Sequence, residues 1–282
     1  MTYKKMFFPI GGGDELRERI HGALLIGKYF QAHMEVLKAI ANPTQAMSIN
    51  KSLSATVLKQ LNEMVKEDLK KEILMHSSIL EEEAEKLDIT ISDRRIKGTP
   101  TAELITARGY RSQVIEQESK YCDVVVVASP PKGKITATFE TTITKSGKPA
   151  LMFPRKMKKF STEKIVIGWN NSPEAARAVS LAIPLMQKAK KVHIITSKEY
   201  TDDIKQIRKL QAFLSCHDIE TTYEVVKTTI TPGEALLNHA QKGEYDLIIA
   251  GAFGHKGFKE LMFGGTTKYL LKNTNIPVFM SH

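Results

Sequence analysis

The chain has 282 residues, 42% of them hydrophobic, with only two cysteines and a formal net charge of +10. That length and apolar content suffice for one large or two ordinary domains with substantial cores, and two cysteines exclude a disulfide framework. No apolar run approaches the roughly 20 residues needed to cross a bilayer, and the amino terminus lacks the apolar core and cleavage site of a secretory signal, so the expected compartment is the cytoplasm.

The first predicted element is the strand-like Met6-Phe-Phe-Pro-Ile10, followed by Gly11-Gly-Gly-Asp14 and a helix for which Asp14 is the expected N-cap. From Ser54 to Leu87 apolar residues recur at helical spacing. Leu58, Leu61, Met64, Val65, Leu69, Ile73, Leu80 and Leu87 either cover a sheet or meet a partner helix. A third strand is expected within Ile89–Ala107. Tyr121-Cys-Asp-Val-Val-Val-Val-Ala128 and Lys148-Pro-Ala-Leu-Met-Phe153 read as later strands. Cys122, beside the first of these, and Cys216, near a helix end, are expected to be buried small hydrophobes.

The basic run Arg155-Lys-Met-Lys-Lys159 reads as a linker. No aromatic residues are interleaved with it to stack bases, and elsewhere the lysines sit among acidic neighbours, so no nucleic-acid partner is expected. After the linker, strands are predicted at Lys164–Gly168, Lys191–Thr196, Glu220–Val226, Asp246–Ala250 and Ile276–Met280. The intervening helices are predicted to begin near Pro173, Asp202, Pro232 and Gly264.

An internal repeat orders these elements. Tyr3–Pro9 matches Glu163–Gly168, Tyr121–Ala128 matches Glu244–Ala250, and Lys148–Phe153 matches Ile276–Met280. Two α/β lobes follow, 1–155 and 161–282, each a mainly parallel five-stranded sheet with helices on both faces. Ligands in such sheets bind at the carboxyl ends of strands near the switch point, where Asn170, Gly251 and Gly254 are expected.

The closing third of the chain carries the strongest chemical pattern. Asp246-Leu-Ile-Ile-Ala250 runs into Gly251-Ala-Phe-Gly254, and Gly264-Gly265-Thr266-Thr267 follows at the start of a predicted helix. Glycines at a strand end and free N–H groups with hydroxyls at a helix N-terminus suit a phosphate. The same glycines would also let helix pack against strand. In the first half Ser129-Pro-Pro-Lys-Gly-Lys134 and Phe139-Glu140 stand where the second has its glycines. The prolines remove N–H donors and Glu140 adds negative charge, so no equivalent nucleotide site is expected there.

The pattern Gly-x2-Gly-x9-Gly followed by hydroxyls resembles the nucleotide-binding signature of the universal stress protein family. The resemblance extends to Lys164–Gly168 as first strand, to Trp169-Asn170-Asn171-Ser172 as the family's Asp-x-Ser turn, and to Glu174–Ala178 as first helix. Gly265 stands where the family has a hydroxyl, and Asn170 replaces its Asp, removing a charge that would help hold a divalent ion. The resemblance implies tandem Rossmann-like, adenine nucleotide alpha hydrolase-like lobes. It also implies ATP, ADP or AMP in the second lobe, with or without Mg²⁺. The implied contacts are Trp169, Asn170, Ser197, Ala250, Gly251, Phe253 and Gly254 around base, ribose and phosphates, and Gly264, Gly265, Thr266 and Thr267 on the outer phosphates. It further implies that lobes pair through their last strands, near Ala150–Phe153 and Val278–Met280, within one chain or in a homodimer.

Catalytic patterns are sparse. Gly11-Gly-Gly-Asp14 shares Gly-Gly-x-Asp with the pyrophosphatase loop of ATP-dependent adenylating enzymes but lacks both flanking serines. No Walker loop, Gly-x-Ser-x-Gly elbow or Cys/His pair at metal spacing occurs. His255 lies in the glycine loop, as phosphate donor or solvated loop tip, while His193 and His239 read as structural. No general base can be named, so binding in stress response or signalling is expected rather than fast hydrolysis. The alternative is a nucleotide-free interaction protein with a vestigial site, docking an unidentified protein partner through the long first-half helix.

Overall fold

The computed structural model describes residues 3–11, 14–40, 55–198, 204–226, 231–253 and 265–282. Its strands are β1 (Lys5–Pro9), β2 (His33–Ile40), β3 (Thr90–Ile91), β4 (Thr101–Arg108), β5 (Val124–Ala128), β6 (Ala150–Phe153), β7 (Lys164–Gly168), β8 (Lys191–Ser197), β9 (Thr221–Val226), β10 (Leu247–Gly251) and β11 (Val278–Ser281). The helices that bear on the argument are α1 (Leu16–Phe30), α2 (Ala55–Lys86), α3 (Arg111–Glu118), α4 (Ala137–Thr144), α5 (Pro173–Leu181), α6 (Ile183–Met186), α7 (Ile204–Ser215), α8 (Pro232–Lys242) and α9 (Thr266–Asn273).

The strands form one sheet in the order β3-β4-β2-β1-β5-β6-β11-β10-β7-β8-β9. Each half repeats the doubly wound order, with β4-β2-β1-β5-β6 answering β9-β8-β7-β10-β11. The first half adds the two-residue edge strand β3, so its sheet exceeds the expected five. The pairings are parallel except one. β6 and β11 run antiparallel, with Leu151 opposite Phe279, and this joins the halves into a continuous sheet through their last strands.

Side chains alternate across the sheet with the two-residue period of a strand. Met6, Phe8, Val126, Ile165, Ile167 and Ile249 enter one core, covered by α1, α2, α5, α6 and α7. Phe7, Val125, Val127, Val166 and Ile248 enter the other, covered by α3, α4, α8 and α9. A run such as Val124–Val127 is apolar throughout because both faces are covered.

The repeat extends to polar detail. The Asp123 carboxylate accepts from the N–H groups of Lys4 (2.6 Å) and Lys5 (3.0 Å), and Asp246 accepts from the N–H of Lys164 (2.8 Å). Each Asp thereby ties the entry to its half's fourth core strand to the start of the first. Across the seam Tyr3 stacks on Phe279 with centroids 6.1 Å apart and donates to the Leu181 carbonyl at 2.5 Å, while the hydroxyls of Tyr29 and Thr162 lie 2.6 Å apart.

Several expectations are corrected. α1 is capped by Glu15, not Asp14: Glu15 sits in the left-handed region (φ 63°), and its carboxylate binds Arg155 at 2.5 Å and Lys156 at 3.0 Å. The basic linker is therefore held against the first half, with Met157 buried. Cys122 is buried, and burial pushes its thiol up to about 12, but Cys216 is exposed. In α2 the carboxyl-terminal half covers the sheet through Leu80 and Ala84, and buried Glu83 binds Lys86 (2.7 Å), Arg17 (2.9 Å) and His21 (2.9 Å). Met64, Val65, Leu74 and Met75 on the same helix are exposed. The side chains of Leu58 and Leu61, and the predicted helix start at Asp202, lie outside the described residues.

Candidate nucleotide cleft

β7 ends at Gly168 beneath Leu236 of α8, whose Cδ2 lies 2.5 Å from where a Cβ would stand. Beyond it the Trp169 N–H donates to the Ile195 carbonyl at 2.8 Å, and Asn170 begins a tight turn in which its Oδ1 accepts from the Ser172 N–H at 3.2 Å. Asn171 supplies the left-handed residue of that turn (φ 59°). Ser172 then caps α5, its Oγ accepting from the Ala175 N–H at 3.1 Å, with Pro173 at the first helical position. The local sequence from Lys164 to Pro173 thus specifies a strand, an Asx turn and a capped helix start.

These elements open a cleft of about 510 Å³, counting space continuous with solvent, at the carboxyl ends of β7, β8 and β10. The predicted residues Trp169, Asn170, Ser197, Ala250, Gly251 and Thr266 all line it. Ile195, Val226, Pro232, Ala235 and Leu236 supply an apolar wall that sequence reasoning missed. The end of β9 and the proline-initiated start of α8 could have signalled that wall, because switch-point clefts collect strand ends and helix starts. Two lining residues keep a buried polar atom, Trp169 Nε1 and Ser197 Oγ, for which the described residues provide no hydrogen-bond partner.

Other predicted contacts fall differently. Gly265 is the N-cap of α9 in extended backbone (φ −72°, ψ 169°) with no side-chain cap, so the first-turn N–H groups lack the usual capping acceptor. The Thr267 Oγ1 accepts from the Phe253 N–H at 3.4 Å, which docks α9 on the strand end. Phe253 is buried at φ 53°, with its ring edge-on to His282 at 6.5 Å, and is not among the lining residues. Gly254, Gly264 and His255 lie outside the described residues.

Gly251 has a packing reason. A Cβ there would come 2.7 Å from the Ala175 amide nitrogen, a distance real Cβ atoms essentially never show, and 3.0 Å from the Glu174 carbonyl carbon. The glycine lets α5 lie against β10, the alternative that its position in the sequence left open.

Among the described residues, two groups of side chains could hold a metal ion, although no His or Cys pair has metal spacing in the sequence. They are His193 with Glu224 and His239, and His33 with Glu35 and Glu103, the potential ligand atoms of each lying within 4.8 Å of one another. Neither group borders the cleft. The first joins β8, β9 and α8, and burial followed by the charge of His239 lowers the pKa of His193.

The fold and the cleft define a doubly wound α/β protein with a partly apolar cleft at its switch point. The family model of the universal stress protein family matches residues 161–282, so the chain carries a universal stress protein domain over its second half. The universal stress protein Slr1230 of Synechocystis sp. is 23% identical over 251 residues, covering 86% of this chain and 84% of that protein. The crystal structure of a universal stress protein from Archaeoglobus fulgidus superposes with a TM-score of 0.65 at 18% identity, covering 98% of this chain and 94% of the other. A functionally unknown protein from Pseudomonas aeruginosa PAO1 gives 0.53 at 16% identity, covering 98% and 92%. At these identities the structures share the fold. Among the described residues no helix is long and apolar enough to cross a membrane.

Proposed function

We propose that the chain binds ATP or a related adenine nucleotide in the second-half cleft, and that the bound state, not turnover, is its output in stress response or signalling. Residues 1–155 and 161–282 are the two lobes of this reading, and only the second holds the nucleotide. The observation that carries it is the pairing, in one cleft, of an apolar slot (Ile195, Val226, Pro232, Ala235) with the N-terminus of α9, which has no side-chain cap. A flat base fits the first and an anion the second. Thr266, the first residue of α9, lines the cleft, and Asn170 retains its amide N–H₂ for base or ribose, its oxygen being used in the turn. Gly254 and Gly264 complete the proposed phosphate contacts. Mg²⁺, where present, would be held chiefly by the phosphates, since Asn170 brings no charge.

The test is titration calorimetry with ATP and Mg²⁺ on the parent and a Gly265→Asp variant. The extended backbone at this position accepts any residue, and aspartate is a good N-cap, so the variant is expected to keep or gain thermal stability. Its carboxylate would compete with the phosphates and weaken binding by at least about tenfold. No heat from ATP, ADP or AMP with the parent would end the nucleotide reading. Gly251→Val is a poor probe because it would disturb the packing of α5.

A second reading is favoured by one observation: Met64 and Leu74 on α2 are 62% and 59% exposed, more apolar surface than a sheet-covering helix needs. There α2 docks a partner and the cleft is vestigial. Absence of nucleotide binding together with a partner lost on Met64→Glu and Leu74→Glu would favour it.

A further inference from the structure

One side-chain layer beneath the second-half cleft lies a cluster that nucleotide binding does not use. His193 stands two residues before Ile195 on β8, Glu224 two before Val226 on β9, and His239 one helical turn beyond Leu236 on α8. Each therefore shares a face with a residue of the cleft's apolar wall. Among the described residues β9 is the last strand of the sheet on this side, paired with β8 alone.

His193 carries an unmet nitrogen. The residue is only 9% exposed, and its Nδ1 lies 2.7 Å from the hydroxyl of Thr222, its cross-strand neighbour. Its Nε2 is buried, and the described residues offer it no hydrogen-bond partner. If Nδ1–H donates to Thr222, a lone pair is stranded on Nε2; the other tautomer strands an N–H. Either is costly in a buried place. A cation resolves the first arrangement, in which a partner on one ring nitrogen orients the other toward a metal.

The neighbouring groups have matching geometry. Potential ligand atoms of His193, Glu224 and His239 lie within 4.8 Å of one another. His239 Nδ1 and Glu224 Oε2 are 3.5 Å apart, long for a hydrogen bond. Two ligands held about 2.0–2.2 Å from a tetrahedral ion stand about 3.4 Å from each other. The two imidazoles are parallel to within 2° with centroids 5.2 Å apart, and Tyr245 stacks on both, at 6.1 and 6.0 Å, which restricts their rotation. Lys191, whose positive charge reaches His193, is drawn to the Tyr245 ring, 5.4 Å from its centroid. The His33 group differs, because its nitrogens are already engaged. His33 uses them on Thr101 (2.9 Å) and Glu103 (3.1 Å), and Glu35 is paired with Lys5.

We infer that His193, through Nε2, together with Glu224 and His239, binds one divalent transition-metal ion of the Zn²⁺ type, which pins the outer strand β9 to β8 and α8 below the cleft. Two imidazoles and a carboxylate suit such an ion, whereas Mg²⁺ and Ca²⁺ favour oxygen ligands throughout. Glu224 is exposed and His239 half-buried, so water can reach the fourth position. An ion held by three elements binds the folded chain in preference to the unfolded one and stabilises it by mass action. The inference does not rest on the nucleotide reading, since none of the three residues lines the cleft.

The test uses the untagged full chain, stripped with a chelator and titrated calorimetrically with Zn²⁺ and separately with Mg²⁺, beside thermal melts with and without each ion. One Zn²⁺ per chain is expected, with a raised melting midpoint that Mg²⁺ does not reproduce. Glu224→Gln and His239→Gln alter positions open to solvent, so both should fold, and each should weaken Zn²⁺ by at least about tenfold and shrink the thermal shift. Thr222→Val removes the support of His193 but no ligand and should weaken the ion less than either. His33→Gln should leave it unchanged. Co²⁺ in place of Zn²⁺ should give the visible absorption of a tetrahedral centre in the parent and lose it in Glu224→Gln. The proposal is overturned if Zn²⁺ does not bind, if Mg²⁺ binds as tightly, if binding persists undiminished in Glu224→Gln and His239→Gln, or if His33→Gln removes it.

Discussion

The two halves trace the same strand order with the same Asp at the entry to the fourth core strand, yet the clefts at their strand ends share almost no chemistry. At the end of the first strand one half has Ile10-Gly11 and the other Trp169-Asn170. At the end of the fourth core strand one has Ala128 followed by Ser129-Pro-Pro and the other Gly251 followed by Ala-Phe-Gly. The residues that specify the fold are buried on both faces of the sheet, where any change of volume is felt. The residues that line the clefts sit at the strand ends or just beyond them, where the chain is freer to vary. A repeat can thus keep its architecture while the residues lining its two clefts diverge, with arginines 19, 111 and 155 in one and Gly251 and Thr266 in the other.

The comparison is broken most strongly at the seam. Phe279 is fully buried on β11, opposite Leu151 and stacked on Tyr3, so it belongs to both halves at once. Phe279→Ala is expected to cost about 3–5 kcal/mol, the range for a large aromatic removed from a core. If the halves share one cooperative core, denaturant unfolding of the variant stays a single transition at lower midpoint. Two separated transitions would mean that each half folds for itself and the seam only docks them.

A subtler difference lies at matching strand ends. The register of β5 with β6 and of β10 with β11 puts Ala128 and Gly251 in equivalent positions. Gly251→Ala drives a methyl to 2.7 Å from a backbone nitrogen, so it should cost about 1–3 kcal/mol, an overpacking that cannot be relieved by rotating a side chain. Ala128→Gly removes a methyl that the first half accommodates and should cost only about 0.5–1 kcal/mol, chiefly in backbone entropy. Equal and small losses in thermal melts of the two variants would show that α5 can move off β10 freely and that the packing account of Gly251 is mistaken.

The strands of this fold were legible because both faces are buried. Ile165–Ile167 and Val124–Val127 are unbroken apolar runs, and the Tyr and Asp that precede Val124 recur before Leu247. Strand β4 was harder to bound within Ile89–Ala107, since Thr101–Arg108 mixes charged residues into an edge region. In the second-half cleft the turn residues Trp169 and Asn170 and the strand-end Gly251 had recognisable spacing. Ile195, Val226 and Leu236 did not, because an apolar residue lining a cleft reads the same as one filling a core. Asp14 was mistaken for a cap because composition favours it there, whereas Glu15 is fixed by Arg155, which lies far along the chain. The three arginines that line the first-half cleft are invisible for the same reason: positions 19, 111 and 155 have no mutual spacing and meet only once the sheet is wound.

The smallest expected effects test whether the halves are equal in detail. Asp246 accepts from one N–H at 2.8 Å, and Asp123 accepts from two, at 2.6 and 3.0 Å, in a more exposed setting. A charge-assisted bond to a backbone amide is worth more when it is shielded, whereas solvent can replace an exposed one. Asp246→Ala leaves the Lys164 N–H with a lost partner near the base of the second core and should cost about 1–2 kcal/mol. Asp123→Ala frees two N–H groups that water can reach, so it should cost about 1 kcal/mol or less. The two effects should add in the double variant, since the residues serve separate halves. A double variant that loses markedly more than the sum would mean that the entries to β5 and β10 are coupled through the seam, and that strands β6 and β11 transmit strain from one half to the other.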